Sequence, residues 1–135
     1  MASKSRRDVL TGEREKRSPY PPRDPAVPKA LFSRAVEFGD LIFLSGVGNH
    51  KPRSVEIATR NVIEEIEKSL VDAGSSLQKC LKVSVFLRDL KDYDALNRAW
   101  RMYDWGEVPP ARTTVAPAQG IPGNSLIEID VIAYI

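Results

Sequence analysis

The sequence predicts one α+β domain in which a five-stranded mixed sheet carries two helices on one face. Two observations support this class. Strand-like runs of apolar, β-branched and aromatic residues alternate with two segments of helical apolar spacing, in the order β-β-α-β-α-β-β. In addition, 135 residues with 42% hydrophobic residues suffice for one compact core and are too few for two independent domains.

The first elements are a hairpin and a helix. "LFSRAVEFGDLIFLSG", residues 31 to 46, contains two strand-like runs that meet at Gly39 and Asp40, a pair typical of a tight hairpin turn. "SVEIATRNVIEEIEKSLVDAG", residues 54 to 74, predicts a helix with Ser54 as its N-cap and Gly74 just past its end. The apolar stripe of this helix consists of Val55, Ala58, Val62, Ile66 and Leu70.

A strand, a second helix and two final strands follow. "LKVSVFLRDL", residues 81 to 90, predicts the third strand, and "DYDALNRAWRMYDWG", residues 92 to 106, predicts a helix that ends at Gly106. The stripe of this helix consists of Tyr93, Leu96, Trp100 and Tyr103. "ARTTVAPA" and "SLIEIDVIAYI" predict the last two strands. On the final strand, Ile127, Ile129, Val131 and Ala133 are expected in the core, with Glu128, Asp130 and Ile132 on the other face.

Residues 1 to 28 differ in composition from the rest of the chain. They are polar and charged, and their end, "SPYPPRDPAVP", holds five of the ten prolines. Such a segment buries too little apolar surface to offset the entropy lost on ordering. We therefore expect a disordered or draping, basic, proline-rich tail over residues 1–28 and the folded domain over residues 29–135.

The charge distribution argues against nucleic acid as a partner. The first 24 residues hold seven Lys or Arg and four Asp or Glu, a charge of +3, whereas the whole chain carries +2. The remainder therefore carries −1 and presents no basic face as a footprint for phosphates.

Cysteine and histidine usage bounds the compartment and the chemistry. Cys80 is the only cysteine, so one chain can form neither an internal disulfide nor a thiolate-rich metal site, and we expect a cytoplasmic location. "SRRDVL" resembles a twin-arginine export signal, but the "TGEREKRS" that follows is not apolar. No run approaches the roughly 18 apolar residues of a membrane span. The single His50 cannot build a metal site, so no metal is expected.

The sheet has more apolar surface than two helices can cover. "LIFL" and "VSVFL" are apolar on both alternating faces, which is typical of strands buried on both sides. Two helices cover one face of a five-stranded sheet, and no further layer is left in the chain. We therefore expect the second face to meet another copy in a closed homo-oligomer.

Arg112 stands in a strand-like stretch, "VPPARTTVAPAQGIP", where a permanent charge needs an anion, water or a carboxylate. If the last two strands are neighbours, Arg112 can form a structural ion pair with Glu128 or Asp130. Alternatively, its two-pronged set of donors clamps a substrate carboxylate, and Glu128 holds or deprotonates a water molecule. Both interpretations are open on spacing alone.

Four segments carry a family resemblance. "FGDLIFLSG", "LKVSVFLRDLKDYDALN", "PPARTTV" and "LIEIDVIAYI", in this order, resemble the RidA/YjgF family of enamine/imine deaminases, once named L-PSP endoribonucleases, over residues 31 to 135. The resemblance implies a chorismate-mutase-like α+β fold, a homotrimer with active sites between subunits, and no cofactor. The implied reaction is hydrolytic deamination of 2-imino or 2-enamino acids to 2-oxo acids and ammonia.

The same resemblance implies roles for individual residues. Arg112 matches the arginine that binds the substrate carboxylate, and Glu128 the glutamate that handles the attacking water. The other expected substrate contacts are Ser45, Gly46, Asn97, Thr114 and Phe32.

Departures from the family pattern leave the substrate open. Phe32 stands where known members have a tyrosine, Thr114 where many have a cysteine, and the loop "GVGNHKPRS" is short. The short loop, together with "RTTVA" and the terminal "LIEI…AY", looks like the 2-aminomuconate deaminase branch, in which His50, Lys51 and Arg53 would meet a second carboxylate or remain solvated. A non-catalytic trimer that binds small carboxylates is the other alternative. A ribonuclease is disfavoured by the near-neutral domain and the lack of a histidine pair.

Overall fold

Five strands form one mixed sheet in the computed structural model, which describes residues 15–20, 30–49 and 53–135. The strands are β1 (Ala35–Phe38), β2 (Leu41–Asn49), β3 (Cys80–Leu87), β4 (Ala111–Val115) and β5 (Ile127–Tyr134), and the helices are α1 (Val55–Asp72) and α2 (Tyr93–Trp100). The sheet order is β1-β2-β5-β3-β4, with every pair antiparallel except β3 and β4. The predicted α+β class, with five strands and two helices, is confirmed.

The core lies between one face of the sheet and the helices. α1 packs on β2 and β5, and α2 packs against α1. The predicted stripe of α1 is buried throughout, as are the inward residues of the central strands: Ile42, Leu44, Val83, Val85, Ile127, Ile129, Val131 and Ala133. Each large apolar side chain in this layer stabilises the fold by about 1.5–3 kcal/mol relative to exposure. This face is complete within one chain.

The ends of α1 follow the predicted signals. The Ser54 side chain accepts a hydrogen bond from the Ile57 backbone N–H at 3.4 Å, which satisfies one of the free donors of the first turn. At the other end Gly74 has a φ of +87°, a left-handed conformation that favours glycine. Both predicted boundaries are confirmed.

The second helix is shorter than predicted. α2 ends at Trp100 rather than near Gly106. The Trp105 indole N–H donates to the Trp100 carbonyl at 3.2 Å, and the two rings stack with centroids 4.3 Å apart. The Trp100 carbonyl also accepts from the Tyr103 backbone N–H at 3.3 Å, so the indole adds a second donor at the end of the helix, where the chain folds back. The apolar spacing that continues to Tyr103 therefore does not extend the helix.

The last two strands, β4 and β5, are not neighbours. The ion pair considered between Arg112 and Glu128 or Asp130 required them to be adjacent. β3 lies between β4 and β5, pairing parallel with the former and antiparallel with the latter. A parallel pair needs a crossover connection, which α2 supplies between β3 and β4. The chain therefore leaves β3 through a helix and returns to the sheet edge, while β5 inserts between β2 and β3.

The second face of the sheet has no covering layer in the described residues. Phe43 pairs with Ile132, and Ile132 with Lys82, so these three side chains share this face. Phe43 is 39% exposed, and Val115, on the same face of β4, is 44% exposed. We call this surface the open face. Its apolar side chains form the kind of patch that marks an interaction surface.

Residues 15–20 lie across the edge of β1. Arg17 and Glu37 exchange two backbone hydrogen bonds, and their side chains form an ion pair at 2.9 Å. The Tyr20 hydroxyl donates to the Ser69 carbonyl at 3.3 Å, and the Arg34 guanidinium lies 4.3 Å from the Tyr20 ring centroid. An otherwise unpaired strand edge is thereby partly covered. The other residues of the predicted 1–28 tail lie outside the described ranges.

Neither helix of the described part of the chain is long and apolar enough to cross a membrane.

Candidate active site

Arg112 lies on the helix-covered face of β4, at the side of α2. It is aligned with the buried Val83 of β3, and its Nη2 donates to Asn97 Oδ1 at 2.8 Å and to Tyr93 Oη at 3.2 Å. The guanidinium carbon is 4.9 Å from the Trp100 ring centroid, within the range of a cation–π contact. Three side chains of one helix therefore hold the charge in place.

Arg112 forms no ion pair with any described residue. The ion pairs found there join Arg17 to Glu37, Lys91 to Asp89, and Arg98 to Glu56. The structural ion pair of Arg112 with Glu128 or Asp130, one of the two interpretations of the sequence, is therefore wrong. The neighbours of the guanidinium are a neutral amide, a phenol and an indole, and none of them neutralises its charge.

Arg112 and Glu128 face opposite sides of the sheet. Glu128 alternates with the buried Ile127 and Ile129, so it projects toward the open face. Because β3 intervenes, the axes of β4 and β5 lie about 10 Å apart across the sheet. Within one chain the two predicted catalytic residues are therefore not brought together.

Glu128 lies over Gly46 of β2. A β-bulge interrupts the pairing of β2 with β5 between Leu44 and Val47, and a Cβ at position 46 would lie 2.8 Å from the Glu128 carboxyl carbon. A larger residue at position 46 would therefore require the Glu128 side chain to move. Burial, and secondly the negative charge of Asp130, raise the pKa of Glu128 above its ordinary value. The shift favours proton uptake by this carboxyl group, which a general base requires.

The remaining predicted contacts divide in the same way. Thr114 is aligned with Val85 and shares the face of Arg112. Ser45 lies at the bulge beside Gly46, and its hydroxyl donates to the Ser33 carbonyl at 2.6 Å. Phe32 is 74% exposed in the segment before β1. The predicted site thus forms two half-sites, one containing Arg112, Asn97 and Thr114, and the other Glu128, Gly46 and Ser45.

Tyr93 and Trp100 contact Arg112 but were assigned to the buried stripe of α2 by the sequence. Together with Asn97 they occupy positions i, i+4 and i+7, which lie on one side of a helix. Tyr93 is 42% exposed, whereas Leu96 is fully buried. The sequence signal for this part of the site is the spacing that places Asn97 between two aromatic residues on one side of α2.

Two cavities are lined by residues other than those of the two half-sites. One, of about 350 Å³, is lined by Arg88, Pro117, Gln119, Ile121, Asn124 and Ser125. The other, of about 630 Å³, lies at the start of α1 and includes Arg53, Ser54 and Arg88. Neither is lined by Arg112 or Glu128. A site shared between subunits would not be enclosed in one chain. His50 and Lys51 lie outside the described residues.

Cys80 is unsuited to nucleophilic chemistry. The side chain is buried, and burial raises the pKa of its thiol to about 12. It therefore remains protonated at neutral pH. Within residues 15–20, 30–49 and 53–135, no three His, Cys, Asp or Glu side chains group as a metal ion would require.

Comparisons with known proteins agree with this architecture. The family model described as Endoribonuclease L-PSP matches residues 24–135. A RutC family protein of Pyrococcus abyssi is 37% identical over 114 residues, which cover 79% of this chain and 88% of that protein. The 2-iminobutanoate/2-iminopropanoate deaminase of Dermatophagoides farinae is 31% identical over 121 residues, 82% of this chain and 92% of that protein. The crystal structure of NMB1025 from Neisseria meningitidis, a member of the YjgF protein family, superimposes with a TM-score of 0.75 at 28% identity, covering 90% of this chain and 96% of that one.

Proposed function

The chain belongs to the RidA/YjgF family, and on this basis we propose that it hydrolyses 2-imino or 2-enamino acids to 2-oxo acids and ammonia. The observation that carries the proposal is the state of Arg112. Its guanidinium is held by Asn97, Tyr93 and Trp100 and meets no carboxylate among the described residues. A relative named as a 2-imino acid deaminase supports the reaction class.

Arg112 binds the substrate carboxylate in this proposal. A charge-assisted hydrogen bond contributes about 1.5–3 kcal/mol, and a planar guanidinium adds a second parallel bond that an ammonium group cannot reproduce. Since none of the side chains that hold Arg112 is charged, its positive charge is available to the ligand. Binding the carboxylate also fixes the neighbouring imine carbon relative to the protein.

Glu128 of a partner subunit completes the site. We infer this from the opposite directions of Arg112 and Glu128 within one chain, which allow both to meet one substrate only when two copies pack together. The uncovered apolar side chains of the open face, such as Phe43 and Val115, supply surface for such packing. The homotrimer that the family resemblance implies is the assembly we propose.

The reaction needs few groups. An enamine first tautomerises to the imine, whose carbon is already electrophilic. Glu128 removes a proton from water as the water oxygen bonds to that carbon, and the C=N double bond becomes a single bond as its nitrogen is protonated. Glu128 then takes the proton of the new hydroxyl group and transfers it to nitrogen, so that the C–N bond breaks, ammonia leaves and the C–O bond becomes the carbonyl of the 2-oxo acid. General acid–base catalysis of this kind contributes about 10²–10⁴ in rate.

The test uses imino acids generated in situ, with release of the 2-oxo acid as the readout. We expect Arg112→Ala to lower kcat/KM about 10- to 100-fold, and Arg112→Lys to recover only part of the loss because it cannot form the paired contact. Arg101→Ala, which removes an exposed arginine just after α2, is the matched control and should behave as wild type. Equal rates in wild type and both Arg112 variants would refute the proposal.

The substrate panel should include dicarboxylic imino acids. Arg53 and Arg88 line one cavity and would suit a second carboxylate, as the 2-aminomuconate deaminase branch requires. A trimer that binds carboxylates without turnover is the second candidate, favoured by the lack of a hydroxyl at the exposed Phe32. Binding of 2-oxo acids that depends on Arg112, without turnover of any imino acid in the panel, would select that candidate.

A further inference from the structure

Arg112 Nη2 donates two hydrogen bonds to neighbouring side chains, one for each of its hydrogens. One bond reaches Asn97 Oδ1 at 2.8 Å and the other reaches Tyr93 Oη at 3.2 Å. A guanidinium binds a carboxylate with two parallel N–H bonds, either from Nε and Nη2 or from Nη1 and Nη2. Both of these edges include Nη2. A two-pronged contact with a substrate therefore requires one of the two existing bonds to break.

The bond to Tyr93 is the one suited to break. It is longer than the bond to Asn97 by 0.4 Å, from 2.8 to 3.2 Å, and it is exposed, whereas the bond to Asn97 is partly buried. The Tyr93 side chain is itself 42% exposed, so its hydroxyl has space to move. An exposed and long hydrogen bond competes poorly with a charged oxygen at the same donor.

The Tyr93 hydroxyl has an unused donor. It accepts from Arg112, and within the described residues its own hydrogen has no acceptor. A phenol can both donate and accept, so the same group can turn its hydrogen toward an anion bound beside it. The exchange replaces one bond to Arg112 with one bond to the ligand.

We propose that Tyr93 is a second carboxylate anchor of this site, whose hydroxyl releases Arg112 Nη2 when the substrate arrives and donates its hydrogen to the same carboxylate. The proposal rests on the proposed function, because it takes Arg112 as the carboxylate-binding residue. It adds a residue that confers specificity: a ligand with a carboxylate gains the Tyr93 bond, and a ligand with a neutral group at that position does not.

Tyr93→Phe tests the proposal because it keeps the aromatic ring beside Arg112 and removes only the hydroxyl. Binding of pyruvate, a 2-oxo acid of the product class, is followed by tryptophan fluorescence, since Trp100 lies 4.9 Å from the Arg112 guanidinium carbon, and is checked by calorimetry. We expect Tyr93→Phe to weaken pyruvate binding about tenfold. Binding of methyl pyruvate, which lacks the carboxylate, should not change.

Tyr103→Phe is the matched control. It removes the hydroxyl that donates to Glu64 at 3.0 Å, away from Arg112, and should leave pyruvate binding unchanged. Pyruvate binding to Tyr93→Phe that equals or exceeds binding to wild type would overturn the role of Tyr93. If Arg112→Ala binds pyruvate and turns over imino acids as wild type does, the proposed function fails. If Arg112→Ala loses both while Tyr93→Phe does not, only the present inference fails.

Discussion

The two faces of the sheet differ in how far the residues of one chain cover them. The helix-covered face buries Val85, Ile129 and Val131 fully or almost fully beneath the helices, and the charge at its margin, Arg112, is held by two hydrogen bonds. The open face combines half-exposed apolar side chains with Glu128, whose pKa is raised by burial and by a neighbouring carboxylate. One face is a closed hydrophobic core, and nothing among residues 15–20, 30–49 and 53–135 covers the other.

This difference separates the residues that stabilise the fold from those that we expect to serve function. A side chain on the helix-covered face is surrounded in the single chain, so its loss costs folding free energy directly. Burial and the charge of Asp130 disfavour the ionised form of Glu128, so its ionisation does not stabilise the fold. A group kept under such conditions is a candidate for chemistry.

Glu128→Gln is expected to produce the largest effect, in activity alone. The amide has nearly the same shape but cannot take a proton from water, so kcat should fall about 10²- to 10⁴-fold. Stability to urea at neutral pH should be unchanged or higher, because the charged form that the folded chain disfavours is absent. Glu107→Gln, in an exposed loop, is the control. A loss of stability together with full activity would contradict both expectations.

Mixing a variant of each half-site tests whether Arg112 and Glu128 act together across subunits. If Arg112 of one subunit meets Glu128 of the next, co-refolded Arg112→Ala and Glu128→Gln chains should regain activity that neither has alone. Random assembly leaves about a quarter of the sites with both residues intact. A mixture as inactive as its components would show that the two residues do not combine across subunits.

Two isoleucines of β5 provide a matched pair for the next largest effect. Ile129 is fully buried beneath the helices, and Ile132 lies on the open face opposite Phe43. Ile129→Ala should lower the free energy of unfolding by about 2–5 kcal/mol, because it leaves a cavity in a closed core. Ile132→Ala should change the fold of a single chain less and should weaken self-association. Urea denaturation and sedimentation at several protein concentrations separate the two outcomes.

The proposed difference between the two faces would be refuted if Ile129→Ala and Ile132→Ala had the same effects. Equal losses of unfolding free energy at all concentrations, with no change in association state, would mean that the open face is not covered by another copy. The proposed site between subunits would then lose its support.

The sequence predicted those parts of the fold that depend on local spacing. The stripe, the N-cap and the end of α1 follow from residues close to one another in the chain, and all three are confirmed. The end of α2 depends instead on the stacking of Trp100 and Trp105, which forms only after the chain turns back. The position of β3 between β4 and β5 likewise cannot be predicted from any one strand, because alternation indicates which face a residue occupies but not which strand pairs with which.

The site shows the same limit. The sequence identified Arg112, Asn97 and Glu128 as candidates, and period-2 alternation gave the face of each residue within its own strand. It did not relate the face of β4 to the face of β5, since that relation passes through the registers of both with β3. Tyr93 was missed because an aromatic residue at helical spacing indicates a core residue until a charge is found beside it.

Asp130→Asn is expected to produce the smallest effect, a change in pH dependence. Burial is the larger cause of the raised pKa of Glu128, and the negative charge of Asp130 is the second. Removing that charge should lower the pKa of Glu128, so the acid limb of kcat/KM, where Glu128 must be ionised to accept a proton, should move to lower pH. The plateau at higher pH should change little, because Glu128 is ionised there in both proteins.

The ionisation of Glu128 should also affect the pH dependence of stability, in a direction that its raised pKa determines. An acid whose pKa is raised in the folded chain destabilises it above that pKa, and this destabilisation disappears as the pH falls through the raised value. The unfavourable contribution of Glu128 to stability should therefore shrink on mild acidification, and in Asp130→Asn, whose Glu128 is less perturbed, it should shrink less. If the acid limb moves to higher pH, or stays in place while the plateau falls, then Glu128 is not the base and Asp130 acts on the site by another route. The pH profile thus tests whether Glu128 acts as the catalytic base, or whether its raised pKa reflects only its surroundings on the open face.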